Sequence, residues 1–113
     1  MSSLSNKSCV PCRGGIAPLT KNEYEPLLAE LGEEWEVIDT HHLEKTILLK
    51  NFAEALTFTN QVGGIAEKEG HHPDIELGWG RVKIIIWTHK IDGLSESDFI
   101  LAAKISAIGK TAA

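Results

Sequence analysis

The sequence is poor in basic residues and contains no long apolar segment. It has 11 lysine and arginine residues against 16 aspartate and glutamate residues, which gives a net charge of −5 with neutral histidine. A broad nucleic-acid interface needs clustered positive charge to displace counterions, so this balance argues against nucleic acid as a partner. Apolar runs are short, as at Ile84–Trp87, whereas a membrane-spanning helix needs about 20 apolar residues. We therefore expect no membrane-spanning segment.

Cysteine is also scarce. The two cysteines, Cys9 and Cys12, form the sequence Cys-Val-Pro-Cys in a polar N-terminal segment. Residues 1–8 lack the apolar stretch of a signal peptide, so we expect a cytoplasmic protein in which both cysteines stay thiols. A zinc site needs a second ligand pair, and a redox Cys-x-x-Cys motif normally opens a helix after a strand. We therefore favour neither role, although a dimer could join two cysteine pairs into one metal site.

Length and composition indicate one folded domain. A chain of 113 residues with 42% hydrophobic and 24% charged residues resembles ordinary globular proteins and not disordered ones. Residues 1–18 show no apolar periodicity, and we assign them to an irregular N-terminal arm. Residues 19–113 are assigned to a single domain.

Capping signals and apolar periodicity predict an α+β fold. The sequence Thr20-Lys21-Asn22-Glu23 is a capping box, and Gly32 and Gly70 are natural helix stops. In chain order we predict a helix from 20 to about 31, strands around 35–37 and 43–49, a helix from 51 to 69, strands at 75–77 and 81–88, and a helix that opens at 95. The order α-β-β-α-β-β-α implies a four-stranded antiparallel sheet with helices on one face. The glycine pair Gly63-Gly64 inside the second helix is interpreted as close packing on the sheet.

Histidines are the residues best suited to chemistry. His71-His72 follow the Gly70 helix stop, and Pro73 restricts His72 to extended conformations. The strand at 81–88 runs back from a hairpin turn, which should return His89 to the same end of the sheet. Imidazoles with an ordinary pKa of about 6.5 suit general acid–base catalysis near neutral pH.

Two other histidines, His41-His42, lie in a predicted turn without an identifiable partner, and we assign them a structural role.

Adjacent residues of an extended segment point to opposite sides, so His71 and His72 would not easily share one metal ion. We therefore expect no metal site at these residues.

Two carboxylates lie near the His71-His72 motif. Asp98 belongs to Ser95-Glu96-Ser97-Asp98, which fits a helix N-terminal cap, and it could also orient a histidine. Glu67 lies one helical turn before His71, where it is either a solvated surface residue or a second orienting group.

The spacing of these residues resembles that of a known family. Glu67, His71-His72-Pro73, Trp79, His89 and Asp98 match a pattern of Glu-x-x-x-His-His-Pro, an aromatic residue six positions after the proline, a histidine ten further and an aspartate nine beyond. The pattern closely resembles the pterin-4a-carbinolamine dehydratase family over about residues 20–108, and the cysteine-containing arm resembles the leader of bacterial members. His-His-Pro alone would be a weak signal, whereas the full spacing is specific.

The resemblance implies a cofactor-free lyase. Its expected reaction is dehydration of 4a-hydroxytetrahydropterin to quinonoid dihydropterin, which regenerates the spent cofactor of aromatic amino acid hydroxylases. It also implies a homodimer or homotetramer. The alternatives that stay open are a pterin- or protein-binding module of the same fold without turnover, and a role in molybdopterin metabolism.

The resemblance also assigns roles to residues. His71 and His89 would flank the C4a hydroxyl and N5, with His72 assisting, and which histidine is acid and which is base stays open. Asp98 would hold one imidazole in a single tautomer, with Glu67 as a further supporting residue. Trp35, Pro73 and Trp79 are weaker candidates for substrate binding, because core packing explains Trp35 and hairpin support explains Trp79. Where some members have an acidic residue after the motif histidine, this chain has Lys90.

Overall fold

The computed structural model describes residues 17–32 and 34–111. Within this part of the chain, the elements are α1 (Lys21–Leu31), β1 (Glu36–Ile38), β2 (His42–Leu48), α2 (Phe52–Glu69), β3 (Asp74–Gly78), β4 (Arg81–Ile86) and α3 (Glu96–Thr111). A short 3-10 turn, His89–Ile91, precedes α3. The order confirms the predicted α-β-β-α-β-β-α arrangement. Cys9 and Cys12, with nearly all of the expected N-terminal arm, lie outside the described residues.

The four strands form one antiparallel sheet in the order β1-β2-β4-β3. Asp39 and Thr40 make the turn between β1 and β2 with left-handed φ angles of 54° and 56°. The amide of His41 closes this turn with a hydrogen bond of 2.9 Å to the carbonyl of Ile38. Because β2 pairs with β4, the two hairpins join edge to edge into a continuous sheet.

One face of the sheet carries the core. Val82, Ile84 and Ile86 on β4 are fully buried and alternate with more exposed residues, as expected for a strand with one covered face. Helix α2 packs against β3 and β4, and α3 packs against α1, α2 and β2. No helix in the described part of the chain is long and apolar enough to cross a membrane.

The predicted capping residues begin and end the first two helices. Glu23 Oε1 accepts a 2.8 Å hydrogen bond from the amide of Thr20 at the start of α1. Asn51 Oδ1 accepts a 2.9 Å bond from the amide of Glu54 at the start of α2. Gly70 ends α2 with a left-handed φ of 67°, a conformation that glycine adopts without steric cost.

The interpretation of Gly63-Gly64 as a close-packing site is wrong. A Cβ atom built on either glycine would meet no atom within 4 Å. The surface of α2 also carries exposed apolar side chains, since Phe52 and Leu56 are 44% and 43% accessible. Packing within the chain therefore does not require glycine at these two positions.

The candidate residues gather at one end of the sheet. Strand β4 runs antiparallel to both neighbours and ends at Ile86, so its end lies beside the start of β2 and the start of β3. The predicted strand at 81–88 is two residues too long, because β4 ends at Ile86. After Ile86 the chain makes a single bridge between Thr88 and Gly93, and His89 opens the 3-10 turn between them.

Candidate active site

The centre of the candidate site is a contact between His71 and Asp98. His71 lies in the connection between α2 and β3, and its Nε2 is 2.5 Å from Oδ1 of Asp98 in the first turn of α3. Asp98 is completely buried, while the His71 side chain keeps 14% of its surface accessible. A carboxylate only accepts hydrogen bonds, so Nε2 of His71 carries the proton. The other ring nitrogen, Nδ1, is therefore left for a different partner.

The second carboxylate oxygen of Asp98 is held by two further groups of the fold. Asp98 Oδ2 accepts 2.8 Å hydrogen bonds from the amide of Ser95 and from the hydroxyl of Thr88. The hydrogen bond from the backbone N–H of Ser95 is half of a capping box. Asp98 therefore caps α3, as predicted, and also contacts His71. No buried side-chain polar atom in the described residues lacks a partner. Asp98 is thus fixed on both sides of its carboxylate.

His72 has a carboxylate partner of its own in a different environment. Its Nε2 lies 2.5 Å from Oε2 of Glu67, which projects from the last turns of α2. Both side chains are exposed, at 58% for His72 and 78% for Glu67. Exposed pairs of this kind contribute little stabilisation, about 0–1 kcal/mol, because solvent screens the charges. His72 is therefore held less firmly than His71.

His89 enters the same end of the sheet from the 3-10 turn. Its exposed ring lies 4.4 Å from the ring of Trp87 at an interplanar angle of 58°. The preceding residue, Thr88, is buried and donates its hydroxyl proton to Asp98, the residue that also contacts His71. His89 is thus one residue away from the hydrogen-bond network of His71.

His41 and His42, for which the sequence indicates no partner, have partners in the structure. The rings of His41 and His42 lie 5.5 Å and 6.3 Å from the ring of Trp87. The ring of Trp87 is therefore in contact with three imidazoles, those of His41, His42 and His89. The structure brings these histidines to the end of the sheet that also carries His71.

The three weaker substrate-binding candidates occupy different places. Trp35 is 2% exposed and its Nε1 donates a 2.7 Å hydrogen bond to Oγ of Ser106, an arrangement that favours core packing. Trp79 is 74% exposed in the turn that follows β3. The five residues of β3, about 16 Å of strand, separate it from His72 within one chain. Pro73 adjoins His72, directly before β3.

The side chains at this end of the sheet are not arranged as a metal centre. Among residues 17–32 and 34–111, no cluster of three or more His, Cys, Asp or Glu side chains is placed to hold a metal ion. The histidines contact carboxylates, each other and Trp87.

The profile of the family described as "Pterin 4 alpha carbinolamine dehydratase" matches residues 17–108 of the chain. The chain belongs to the pterin-4a-carbinolamine dehydratase family. Its recognition from the histidine pattern is therefore confirmed. The match covers every described candidate residue, from Trp35 to Asp98.

Relatives named as members of the dehydratase family agree along nearly the whole chain. A "Putative pterin-4-alpha-carbinolamine dehydratase" of Alkaliphilus metalliredigens is 56% identical over 105 residues, which cover 93% of this chain and 95% of the relative. A protein of the same name from Rubrobacter xylanophilus is 54% identical over 108 residues, 96% of this chain and all of the relative. These relatives support an enzyme of the lyase class.

A solved structure agrees with the fold of the dehydratase family. The crystal structure of a transcriptional coactivator/pterin dehydratase from Brucella melitensis superposes with a TM-score of 0.75 at 32% sequence identity. The alignment covers 80% of this chain and 97% of the other. The predicted α+β fold class is confirmed.

Three residues that contact the candidate site residues were not predicted from the sequence to belong to the site. Thr88 and Ser95 fix Asp98, and Trp87 lies beside His89. The alternation along β4 contained a signal for Thr88, because it places that residue on the buried side with Ile84 and Ile86. No sequence signal pairs Trp87 with His41 and His42, because that contact depends on how β2 lies beside β4.

Proposed function

We propose that this chain dehydrates a 4a-hydroxytetrahydropterin to the quinonoid dihydropterin and water by histidine general acid–base catalysis. The observation that carries the proposal is the contact of the partly accessible His71 with the buried, doubly anchored Asp98. A histidine whose tautomer is fixed by a buried carboxylate is suited to proton transfer near neutral pH.

The reaction breaks the bond between C4a and its hydroxyl group and removes the proton on N5. The electron pair of the N5–H bond forms the new double bond, and the hydroxyl leaves with an added proton as water. One protein group must therefore protonate the leaving oxygen and another must accept the N5 proton. His71 supplies one of these groups through Nδ1, because Nε2 is occupied by Asp98.

His89 is the proposed second proton-transfer group, and His72 assists. His89 is exposed and is joined through Thr88 to the hydrogen-bond network of Asp98. His72 is hydrogen-bonded to the exposed Glu67, so its ring can turn when a substrate arrives.

Two different carboxylate environments support this division of roles. Asp98 holds its imidazole from the buried interior, where hydrogen bonds to a charged group are strong. Glu67 holds His72 at the surface, where the same contact is weak. Pro73 helps to set the backbone of the His72 segment, and Trp35 supports the core; we assign neither Trp35 nor Trp79 a direct substrate contact.

The wider proposal is recycling of a tetrahydropterin cofactor for an aromatic amino acid hydroxylase in the cytoplasm, by a homodimer or homotetramer that uses no cofactor. A second candidate is a pterin- or protein-binding module. It is favoured by the similarity to the Brucella melitensis protein, which is named as a transcriptional coactivator as well as a pterin dehydratase. A role in molybdopterin metabolism is the third alternative.

Stopped-flow decay of a hydroxylase-generated 4a-carbinolamine, with and without the purified protein, tests the proposal. Faster loss of the carbinolamine absorbance in the presence of catalytic amounts of protein is the expected result. Binding of a pterin without faster decay would favour the binding module, and neither effect would reject both. Light scattering of the same sample measures the oligomeric state.

A further inference from the structure

His41 and His42 lie in a continuous polar chain between two carboxylates. His41 Nε2 is 2.8 Å from Oδ1 of Asp92, and His42 Nε2 is 3.0 Å from Oε2 of Glu44. Between them, Nδ1 of His41 lies 3.1 Å from Nδ1 of His42. Oε1 of Glu44 is 3.2 Å from Nζ of Lys83. The chain of contacts therefore links the 3-10 turn of His89 to strands β2 and β4.

The hydrogen-bond geometry of the series Asp92–His41–His42–Glu44 determines how many protons the two histidines hold. Both Nε2 atoms face carboxylate oxygens, which only accept, so each Nε2 carries a proton. The two Nδ1 atoms face each other, and their hydrogen bond needs one proton between them. Two neutral rings would leave two lone pairs in contact, and two cationic rings would leave two N–H groups in contact. The geometry is satisfied when His41 and His42 together carry one positive charge.

The surrounding charges match a shared cation. Asp92 faces His41 from the end of the 3-10 turn, and Glu44 faces His42 on β2. The hydrogen bond from His42 is the largest influence on the pKa of Glu44 and lowers it; burial opposes this shift, and Lys83 adds to it. Glu36 lies opposite Glu44 on β1. The negative groups that contact the histidine pair are thus Asp92 at the end of the 3-10 turn and Glu44 on β2.

The same pair packs against the aromatic residue that supports His89. Trp87 lies within 6.3 Å of both His41 and His42, and its ring is 4.4 Å from His89. The ion pair of His41 with Asp92 holds the far end of the turn that His89 begins. His89 is therefore contacted from two directions: its ring packs on the Trp87 ring, and the 3-10 turn that it begins meets His41 at Asp92.

The turn that presents the pair is strained. Thr40 has a φ of 56°, in the left-handed region that β-branched residues rarely adopt, and its neighbour Asp39 has a φ of 54°. Backbone strain of this kind persists where the surrounding contacts hold it in place and is common beside functional sites. Here the two residues that directly follow the strained pair are His41 and His42.

We propose that His41 and His42 form a single proton-sharing unit that positions His89 for the dehydration reaction. The inference rests on the proposed function for its kinetic part, whereas the shared proton stands on geometry alone. Neither histidine is proposed to touch the substrate. They act as positioning residues through Trp87 and Asp92.

Nitrogen NMR of protein labelled with 15N-histidine tests the shared proton without any substrate. We expect one proton on the Nδ1–Nδ1 axis, with a coupling to nitrogens of both His41 and His42 at neutral pH. His42→Gln keeps a donor for Glu44 but removes Nδ1, so this signal should vanish. Two imidazoles protonated only at Nε2 in the unsubstituted protein would overturn the shared-proton assignment.

A double-mutant cycle tests the positioning role. His41→Ala should lower kcat about 10-fold to 100-fold with little change in KM, because small misplacements of a catalytic group have effects of this size. In a His89→Ala background the same substitution should change kcat less than about twofold, since coupled residues are non-additive. Equal losses in both backgrounds would show that His41 does not act through His89 and would overturn the positioning role.

Asp92→Asn and Asp39→Asn form a matched pair. Both positions have left-handed backbone that asparagine tolerates, and both substitutions remove one negative charge, but only Asp92 contacts His41. We expect a lower kcat and a shifted His89 resonance for Asp92→Asn alone. Equal effects of the two substitutions would show that the contact between His41 and Asp92 does not position His89. If the unsubstituted protein has no dehydratase activity, the proposed function fails, while the NMR signals still decide the arrangement of the pair.

Discussion

His71 and Asp98 are joined by a contact of 2.5 Å between an accessible imidazole and a completely buried carboxylate. The same carboxylate caps α3 through the amide of Ser95 and accepts the hydroxyl proton of Thr88. The position of the proposed catalytic base or acid is therefore tied to the start of a helix. Because the cap and the imidazole share one side chain, we expect stability and activity to be coupled at this point of the fold.

Asp98→Asn should lower both activity and stability. The side chain of asparagine has one accepting oxygen and one donating NH2 group. If its oxygen keeps the cap with Ser95, its NH2 group faces Nε2 of His71. Nε2 must then accept, so the proton of His71 moves to Nδ1. We expect kcat to fall about 10²-fold to 10⁴-fold, in the range of general acid–base catalysis. The mismatched buried group should lower the free energy of unfolding by about 1–3 kcal/mol. Stopped-flow kinetics, urea unfolding and the 15N shifts of His71 measure the three effects.

Glu96→Gln is the control for that substitution. Glu96 also lies in the first turn of α3, so its replacement tests the general effect of negative charge at the helix N-terminus. We expect a change of about 0.3–1 kcal/mol in stability and no change of the His71 tautomer. Similar loss of activity in both variants would contradict a specific role for Asp98.

Glu67→Gln should have a much smaller effect than Asp98→Asn. The Glu67–His72 pair is exposed, and an exposed pair contributes about 0–1 kcal/mol. We expect kcat to change less than about fivefold, since a stabilisation below about 1 kcal/mol corresponds to such a factor. Kinetics of the two variants side by side provide the comparison. A loss for Glu67→Gln as large as that for Asp98→Asn would assign Glu67 a direct part in proton transfer.

Acid should remove a stabilising contribution of Glu44. The hydrogen bond from His42 lowers the pKa of Glu44 below its ordinary value of 4.5, so the ionised form favours the folded state. This contribution is present above about pH 4.5 and is lost as the pH falls through the lowered pKa. The pair is partly exposed, so we expect at most about 1 kcal/mol. Urea unfolding of the unsubstituted protein and of Glu44→Gln should differ at pH 7 and converge at acid pH, below the lowered pKa of Glu44; a constant difference would contradict the assignment.

Trp35→Phe should destabilise the protein and leave KM unchanged. The substitution removes the indole donor to Ser106 while it keeps an aromatic ring in the core. We expect a loss of about 1 kcal/mol for the hydrogen bond, with a further cost for the smaller ring. Ser106→Ala is the partner control and should cost about 1–3 kcal/mol, because it leaves the buried N–H without an acceptor. A several-fold rise in KM for Trp35→Phe would instead place this ring in the substrate pocket.

Replacing Asp39-Thr40 by Asn-Gly should stabilise the first hairpin. Both residues have left-handed backbone, and Asn-Gly is the pair favoured where two successive turn residues adopt this hand. Relief of strain at Thr40 should raise the free energy of unfolding by about 1 kcal/mol or more. Thermal unfolding measures the gain, and kcat should stay within about twofold if the positions of His41 and His42 are kept. A less stable variant would show that the side chains of Asp39 or Thr40 make contacts that outweigh the strain.

Local signals in the sequence were sufficient for the element order. The capping residues Thr20 and Asn51 and the stop at Gly70 act over three or four residues, so their effect does not depend on the rest of the fold. The packing predicted for Gly63-Gly64 was wrong, because whether a glycine is closely packed depends on what lies beside the helix in the folded protein. The strand end after Ile86 was also misplaced, since β pattern alone does not reveal the bridge between Thr88 and Gly93.

The sequence by itself determined the fold class, the family and the group His71, His72, His89 and Asp98, because spacing along the chain carries that information. Only the tertiary structure decided which imidazole meets the buried carboxylate and that His41 and His42 have partners at all. Those contacts join segments far apart in the chain: His41 and Asp92 differ by 51 in residue number, and His71 and Asp98 differ by 27. Their geometry follows from the pairing of β2 with β4 and from the packing of α3, which no local pattern specifies.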